Sequence, residues 1–261
     1  MRLLVTGAAG LLGRELLRAA AQHDVVPAYH SQPVQGGVQF DVRRPDQVRD
    51  VIREVAPDAI VHAAYKQDDW ATTATGAANV ALAAEGVRLV FVSTDVVFGP
   101  RGTPWNESEP PCPTTPYGAA KAAAETAIRA LRPDAVIART SLIVGSDGAS
   151  EEERRVRRLA AGEPGAFYRA NIRCPIHVTD LASALLELLL LDVAGITHVA
   201  GPEPLSRHEL GRLIAARDNL DPDALPSEPG TPSDIRLDSS RTQDLLRTRL
   251  RAPSEFLRTA S

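Results

Sequence analysis

Two residues four apart carry the most direct chemical suggestion in the chain. In the stretch TTPYGAAKAAAE, Tyr117 and Lys121 have the spacing that puts two side chains on one face of a helix. A phenol in water is a weak acid with a pKa of about 10, and an ammonium within about 4–6 Å lowers that value by favouring the phenolate. The pair is therefore suited to exchanging a proton with an oxygen near neutral pH. Of the 29 basic side chains, only Lys66 and Lys121 are lysines, so each is expected to do something a guanidinium cannot. Upstream, VFVSTDVVFG ends an apolar strand in Ser93 and Thr94. Hydroxyls there would lie at the carboxyl edge of a parallel sheet, where ligands bind in doubly wound folds, and Thr94 could hydrogen-bond a substrate oxygen.

A second group of residues lies at the start of the chain. LLVTGAAGLLGRELL sets Gly7, Gly10 and Gly13 in a turn between an apolar strand and an amphipathic helix. Such a turn lets backbone approach a pyrophosphate, with the helix N–H groups facing the anion; the alternative is a turn that only permits close packing. Expected cofactor contacts are Gly7, Gly10, Leu11, Leu12 and Gly13, then His30 and Ser31 at the end of the second strand, Asp41 and Val42 after the third, Ala63 and Ala64 after the fourth, and Tyr117 and Lys121. The second strand ends in AYHS with no carboxylate to repel a 2′-phosphate, which favours NADP(H) and leaves NAD(H) possible. Asp41 suits the adenine edge, or a helix N-cap.

These groups need elements to hold them. Apolar runs at RLLVT, DVVPAYH, GVQF, DAIVHAA, RLVFVST and DAVIART alternate with helical segments at 11–22, 45–56, 72–84 and 117–131. This predicts βαβ units and a doubly wound parallel sheet, an α/β Rossmann fold, over residues 1–140. Pro27 predicts a bulge or a late strand start. Residues 141–261 are expected to form mainly a smaller α/β substrate lobe, with about 175–200 returning to the first domain. A net charge of −4 without a basic tail argues against nucleic acid. Cys112 and Cys174 lack metal-ligand spacing and read as inert thiols. The strand starting at Arg2 and the short apolar run at 185–191 predict a cytoplasmic protein with no membrane span.

With TGAAGLLG, STDVVFG and YGAAK in this order, the chain resembles the extended short-chain dehydrogenase/reductase superfamily, and within it the dTDP-4-dehydrorhamnose reductase family. IRCPIHVTDLASALLELL, THVAGPEPLSRHELGRLIA and RLDSSRTQDLL resemble that family's later segments. The resemblance implies an oxidoreductase in deoxysugar biosynthesis, with Thr94, Tyr117 and Lys121 catalytic. Hydride from a nicotinamide would reach a keto carbon of a nucleotide-linked sugar. The chain could assemble as a homodimer, which the sequence alone does not decide. Dehydratases of the same branch continue Thr-Asp-Glu where this chain has Thr94-Asp95-Val96, which disfavours dehydration. An epimerase and a non-catalytic NADP-binding regulatory subunit, as in the β subunit of methionine adenosyltransferase, are the alternatives.

The chain departs from the reductase pattern at Val96, where an aromatic is common, and at Thr73 and His62, which stand for asparagines. His62 reads better as a strand-end residue bonded to a neighbouring loop. Expected substrate contacts are Asp95, Val96, Arg173 and Lys66; the alternative for Arg173 is a structural salt bridge, and for Lys66 a surface pair with Asp68 or Asp69. EEERRVRR at 151–158 reads as a solvated helix face with i,i+4 pairs from Glu151 to Arg155 and Glu153 to Arg157. Trp70 and Trp105 could border the cleft, or pack.

Overall fold

Near-continuous apolar runs in the early strands demand cover on both sides, and the computed structural model, which describes residues 1–258, supplies it. The central sheet has seven parallel strands: β1 (Arg2–Thr6), β2 (Asp24–Tyr29), β3 (Val38–Gln39), β4 (Ala59–His62), β5 (Arg88–Thr94), β6 (Val136–Thr140) and β7 (Gly195–His198). Their order is β7-β6-β5-β4-β1-β2-β3, with the reversal beside β1 that marks a doubly wound fold. Helices α1 (Leu11–Ala19) and α6 (Val178–Leu190) cover the face carrying Leu3, Val5, Val61, Val90 and Val136. Helices α2 (Pro45–Val55), α3 (Gly76–Ala83) and α4 (Pro116–Leu131) cover Leu4, Ile60, Leu89, Phe91 and Ile137. Each such buried Leu, Ile, Val or Phe contributes roughly 1.5–3 kcal/mol.

Helices α5 (Glu151–Ala160) and α7 (Arg207–Arg217) build a second core from Val156, Leu159, Phe167, Leu210 and Ile214. A three-stranded sheet of Leu205–Ser206, Asn171–Arg173 and Ser233–Asp234 lies in this part of the chain. The chain between them, through α6 and β7, belongs to the large sheet. Among the described residues no helix is long and apolar enough to cross a membrane. Cys174 is buried, which pushes its thiol up to about 11 and keeps it protonated.

Several local expectations need correction. β2 runs unbroken through Pro27, in register from Arg2↔Asp24 to Thr6↔Ala28, with neither bulge nor late start. β3 pairs only with Ala28 and Tyr29, so at Pro27 the outer side of β2 is an edge where a missing N–H costs no ladder bond. The first helix ends at Ala19 instead of Gln22, because Ala20 caps it and His23 turns back to the Ala20 carbonyl before β2 starts. EEERRVRR is a solvated face only in part: Glu151, Arg154, Arg157 and Arg158 are exposed. Glu152 and Glu153 are buried: Glu153 closes a capping box with Ser150 and meets Arg217 at 2.6 Å, and Glu152 meets Arg207 at 2.8 Å. Glu151 pairs with Arg154 and Arg158 instead of Arg155. Tertiary partners from α7 outbid the helix's own spacing.

Candidate active site

The glycine turn is built to admit an anion. Gly7 has φ +71°, a left-handed conformation, and a Cβ there would lie 2.9 Å from the Ala63 carbonyl carbon; one on Gly13 would lie 2.2 Å from the Gly7 oxygen. Gly10 caps α1 without a side chain, and Arg14 is the first residue to donate back, to the Gly10 carbonyl. The amides of Leu11, Leu12 and Gly13 are thus the first-turn donors that a helix leaves unpartnered. The turn borders two clefts. One, of about 590 Å³, is lined by Gly7, Gly10, His30, Ser31, Asp41, Val42, Arg43, Ala63, Ala64 and Lys66. The other, of about 660 Å³, holds Leu11, Leu12 and Gly13 together with Thr94, Asp95, Val96, Tyr117, Lys121, Ser141, Glu152, Arg173 and Arg207.

Tyr117 sits in the first turn of α4, where Pro116 occupies the opening position and the Thr115 hydroxyl accepts from Gly118 N at 3.0 Å. Gly118 lets this turn press against β5's exit: a Cβ there would lie 2.0 Å from the Val96 oxygen. One turn on, Lys121 is buried, its Nζ donating to the Val92 carbonyl at 2.8 Å and standing 4.6 Å from the Phe91 ring centroid. Burial pushes the Lys121 ammonium down to about 7, opposed by the Glu125 carboxylate. The Tyr117 phenol moves the other way from the sequence expectation. Burial, then Tyr65 and Asp95, raise it well above the usual tyrosine range, and only the Thr94 hydroxyl pulls it down. The reason is local: the Lys121 ammonium is directed to a backbone carbonyl, and desolvation of the phenol dominates.

Thr94 ends β5 and accepts from Val96 N at 3.4 Å while donating to Asp95 Oδ1 at 3.2 Å. Asp95 is buried, with Ser141 Oγ donating to its Oδ2 at 2.6 Å and Arg173 Nε 3.5 Å from the same oxygen. Arg173 lines the cleft, but its other nitrogens donate to the Ile172 and Ser233 carbonyls and to Ser233 Oγ. Its expected free contact with a substrate gives way to the salt-bridge alternative.

Two further assignments move. Lys66 does not reach the cleft of Thr94 and Tyr117; it lines the cleft of Ser31 and Asp41, exposed and 3.7 Å from Asp68. Its backbone is fixed by Thr73, whose hydroxyl donates to the Lys66 carbonyl at 2.7 Å. Asp41 is not a helix cap, since Arg44 occupies that position; its carboxylate grips Arg43 at 2.6–3.0 Å, and His30 lies 3.7 Å away. Arg43 is a residue that sequence reading missed, although a base directly after the Asp41-Val42 strand exit was the available signal. Ser141 was missed although it directly follows β6 at the carboxyl edge of the large sheet, and Glu152 and Arg207 were missed because each comes to the cleft only through the second lobe's fold. His62 is bonded not to a loop but to Thr6 at the end of β1, at 2.6 Å, and burial pushes its ring down to about 3, so it is neutral. Trp70 is exposed, and Trp105 stacks on Phe98 at 4.4 Å; both lie outside the residues lining the two clefts.

A family model described as the RmlD substrate binding domain matches residues 1–252. The chain is 33% identical to a dTDP-4-dehydrorhamnose reductase of Mycolicibacterium smegmatis, over 85% of this chain and 71% of that protein. A solved structure of a hypothetical dTDP-4-dehydrorhamnose reductase from Sulfolobus tokodaii superposes with a TM-score of 0.86 at 33% identity, covering 97% of each chain. A dTDP-4-dehydrorhamnose reductase from Bacillus anthracis, solved in complex with NADP, gives 0.84 at 25% identity, covering 98% of this chain and 96% of that one. The glycine turn, the Thr94–Tyr117–Lys121 cleft and these matches agree: the chain belongs to the RmlD substrate-binding-domain family, among the extended short-chain dehydrogenase/reductases.

Proposed function

We propose that the protein is an NADPH-dependent reductase of a nucleotide-linked 4-keto sugar, similar to dTDP-4-dehydrorhamnose reductase. The observation that carries this reading is one cleft lined at once by the α1 amides and by Thr94, Tyr117 and Lys121. The residues present fit a dinucleotide. Gly7 and Gly10 line both clefts without a side chain to fill them, Leu11, Leu12 and Gly13 offer amides to a pyrophosphate, and Ser31, His30 and Arg43 offer donors to a 2′-phosphate. When bound, the cofactor supplies a hydride.

The chain's own residues handle the oxygen. Thr94 orients the carbonyl by a hydrogen bond, and Tyr117 gives its phenolic proton to the alkoxide that forms there. The raised pKa of Tyr117 suits an acid, since the phenol stays protonated across the working pH range. Lys121 lines the same cleft, where it would hold the cofactor's ribose by donating to a hydroxyl. Val96 and Asp95 wall the substrate end, and Asp95 in place of an acidic pair removes the means for dehydration. A cytoplasmic setting is consistent with two unpaired cysteines. The test is NADPH oxidation with a panel of dTDP-linked keto sugars. Absence of turnover with every sugar sinks the substrate assignment, and a Tyr117→Phe variant as fast as the wild type sinks the mechanism.

A further inference from the structure

Thr94 has a single hydroxyl proton, and two acceptors compete for it. A carbonyl oxygen can be activated only by a Thr94 that has not committed this proton to Asp95. The geometry around Asp95 bears on that choice. Its Oδ2 receives a 2.6 Å bond from Ser141 and the Arg173 guanidinium at 3.5 Å, whereas its Oδ1 holds Thr94 at a loose 3.2 Å. Both the Asp95 and Arg173 side chains are over nine-tenths buried, so their charges meet with little screening by solvent. A buried carboxylate without such partners would draw a hydroxyl in to about 2.5–2.7 Å, the length of a strong charge-assisted bond.

We propose that Arg173, together with Ser141, is a positioning residue that acts through Asp95. It occupies the carboxylate on the Oδ2 side and so leaves the Thr94 hydroxyl free to turn to the substrate oxygen. This rests on the reductase reading of the same cleft. Arg173 has few donors left for a substrate, because Nη1 already serves the Ile172 and Ser233 carbonyls at 2.8 and 2.5 Å and Nη2 serves Ser233 Oγ at 3.0 Å. A residue so tied down changes what its neighbour does and leaves the anion of a nucleotide sugar to other groups.

Steady-state kinetics with a keto sugar that the wild type reduces, joined to a crystal structure of each variant, test this. Arg173→Gln is expected to lower kcat at least about tenfold while KM for the sugar changes less than about threefold, with NADPH affinity unchanged. In its structure the Thr94–Asp95 contact should contract from 3.2 Å to near the charge-assisted length. A raised KM with kcat intact would make Arg173 a substrate ligand and overturn the proposal, as would an unchanged Thr94–Asp95 distance. Arg173 also ties strand Asn171–Arg173 to Ser233, so Arg173→Gln can fail to fold. Ser141→Ala removes the other Oδ2 donor and leaves the Ser233 tie in place, although Cys174 N loses its acceptor, Ser141 Oγ at 3.2 Å; it should reproduce the loss of kcat, and wild-type kcat in Ser141→Ala would count against the proposal. Ser233→Ala should keep wild-type kcat, and a loss there equal to that of Arg173→Gln would return Arg173 to a purely structural role. If the wild type reduces no keto sugar, the reductase reading fails, and the Thr94–Asp95 distance still decides the positioning role.

Discussion

Glu125 and Arg139 form an ion pair closed off from solvent, with Arg139 Nε 3.0 Å and Nη2 2.7 Å from the two carboxylate oxygens. Ser93 Oγ donates to the same carboxylate at 2.6 Å, so the pair ties α4 to both β5 and β6. Glu125 stands one turn beyond Lys121 on the same face of α4 and is the charge that opposes the fall in the lysine's pKa. Glu125→Ala strands a buried guanidinium, and the expected cost is about 3–5 kcal/mol, read as a lower urea midpoint. Replacing both partners by apolar residues, in Glu125→Leu with Arg139→Met, should cost less than Glu125→Ala alone.

Lys121 makes stability depend on pH. Its pKa is about 7 in the fold and near the ordinary lysine value when unfolded, so between these values the unfolded chain binds more protons. Stability therefore rises with pH through this window, and below about 7 the fold carries the full cost of a buried ammonium. Wild type minus Lys121→Met should show that rise, with a slope of at most about 1.4 kcal/mol per pH unit. Parallel curves from pH 6 to 10 would show that Lys121 is not titrating there.

Charge alone does not replace Lys121. Lys121→Arg is expected to reduce turnover at least about a hundredfold, because a planar guanidinium cannot fit the space of an ammonium held 2.8 Å from the Val92 carbonyl. Near-normal turnover in a stopped assay would refute the role.

Cofactor choice should answer to Arg43 and Ser31. Arg43→Ala is expected to raise the KM for NADPH about tenfold and that for NADH much less, since only NADPH loses a charge partner at the 2′-phosphate. Ser31→Asp should shift preference toward NADH. Equal effects on both cofactors would place the 2′-position elsewhere in the cleft.

Lys66→Ala should leave the KM for the sugar nucleotide unchanged. Its ammonium is exposed and paired only with exposed Asp68 at 3.7 Å, a contact worth about 0–1 kcal/mol. A raised sugar KM would restore the substrate role that its position after β4 first suggested.

The parts of the molecule legible in sequence are those set by local rules. The near-continuous apolar runs RLLVT and RLVFVST mark strands covered on both faces, the spacing of Tyr117 and Lys121 marks one helical face, and Gly7 to Gly13 mark the tight turn into α1. Residues whose environment is made by distant chain were misjudged. The charge pattern of EEERRVRR is compatible with a solvated helix, and only Arg207 and Arg217, more than fifty positions away, take Glu152 and Glu153 inside. Arg173 likewise meets Asp95 and Ser233 from opposite directions in sequence. The Tyr117 pKa was misjudged for a related reason: spacing shows that an ammonium is near, but not that the Val92 carbonyl holds it.

The seating of Gly118 on the Val96 carbonyl has a consequence for how the family can diversify. Acid and orienting hydroxyl are keyed together by backbone, inside the half of the molecule built on the large sheet. The wall facing them comes from α5, α7 and the short strands between, and it meets Asp95 through the Arg173 side chain. Substitutions on this wall away from Arg173 can retune which sugar is accepted without displacing the proton donor. By the same logic Gly118→Ala, although it adds just one methyl group, would push the Tyr117 turn and the Val96 carbonyl apart.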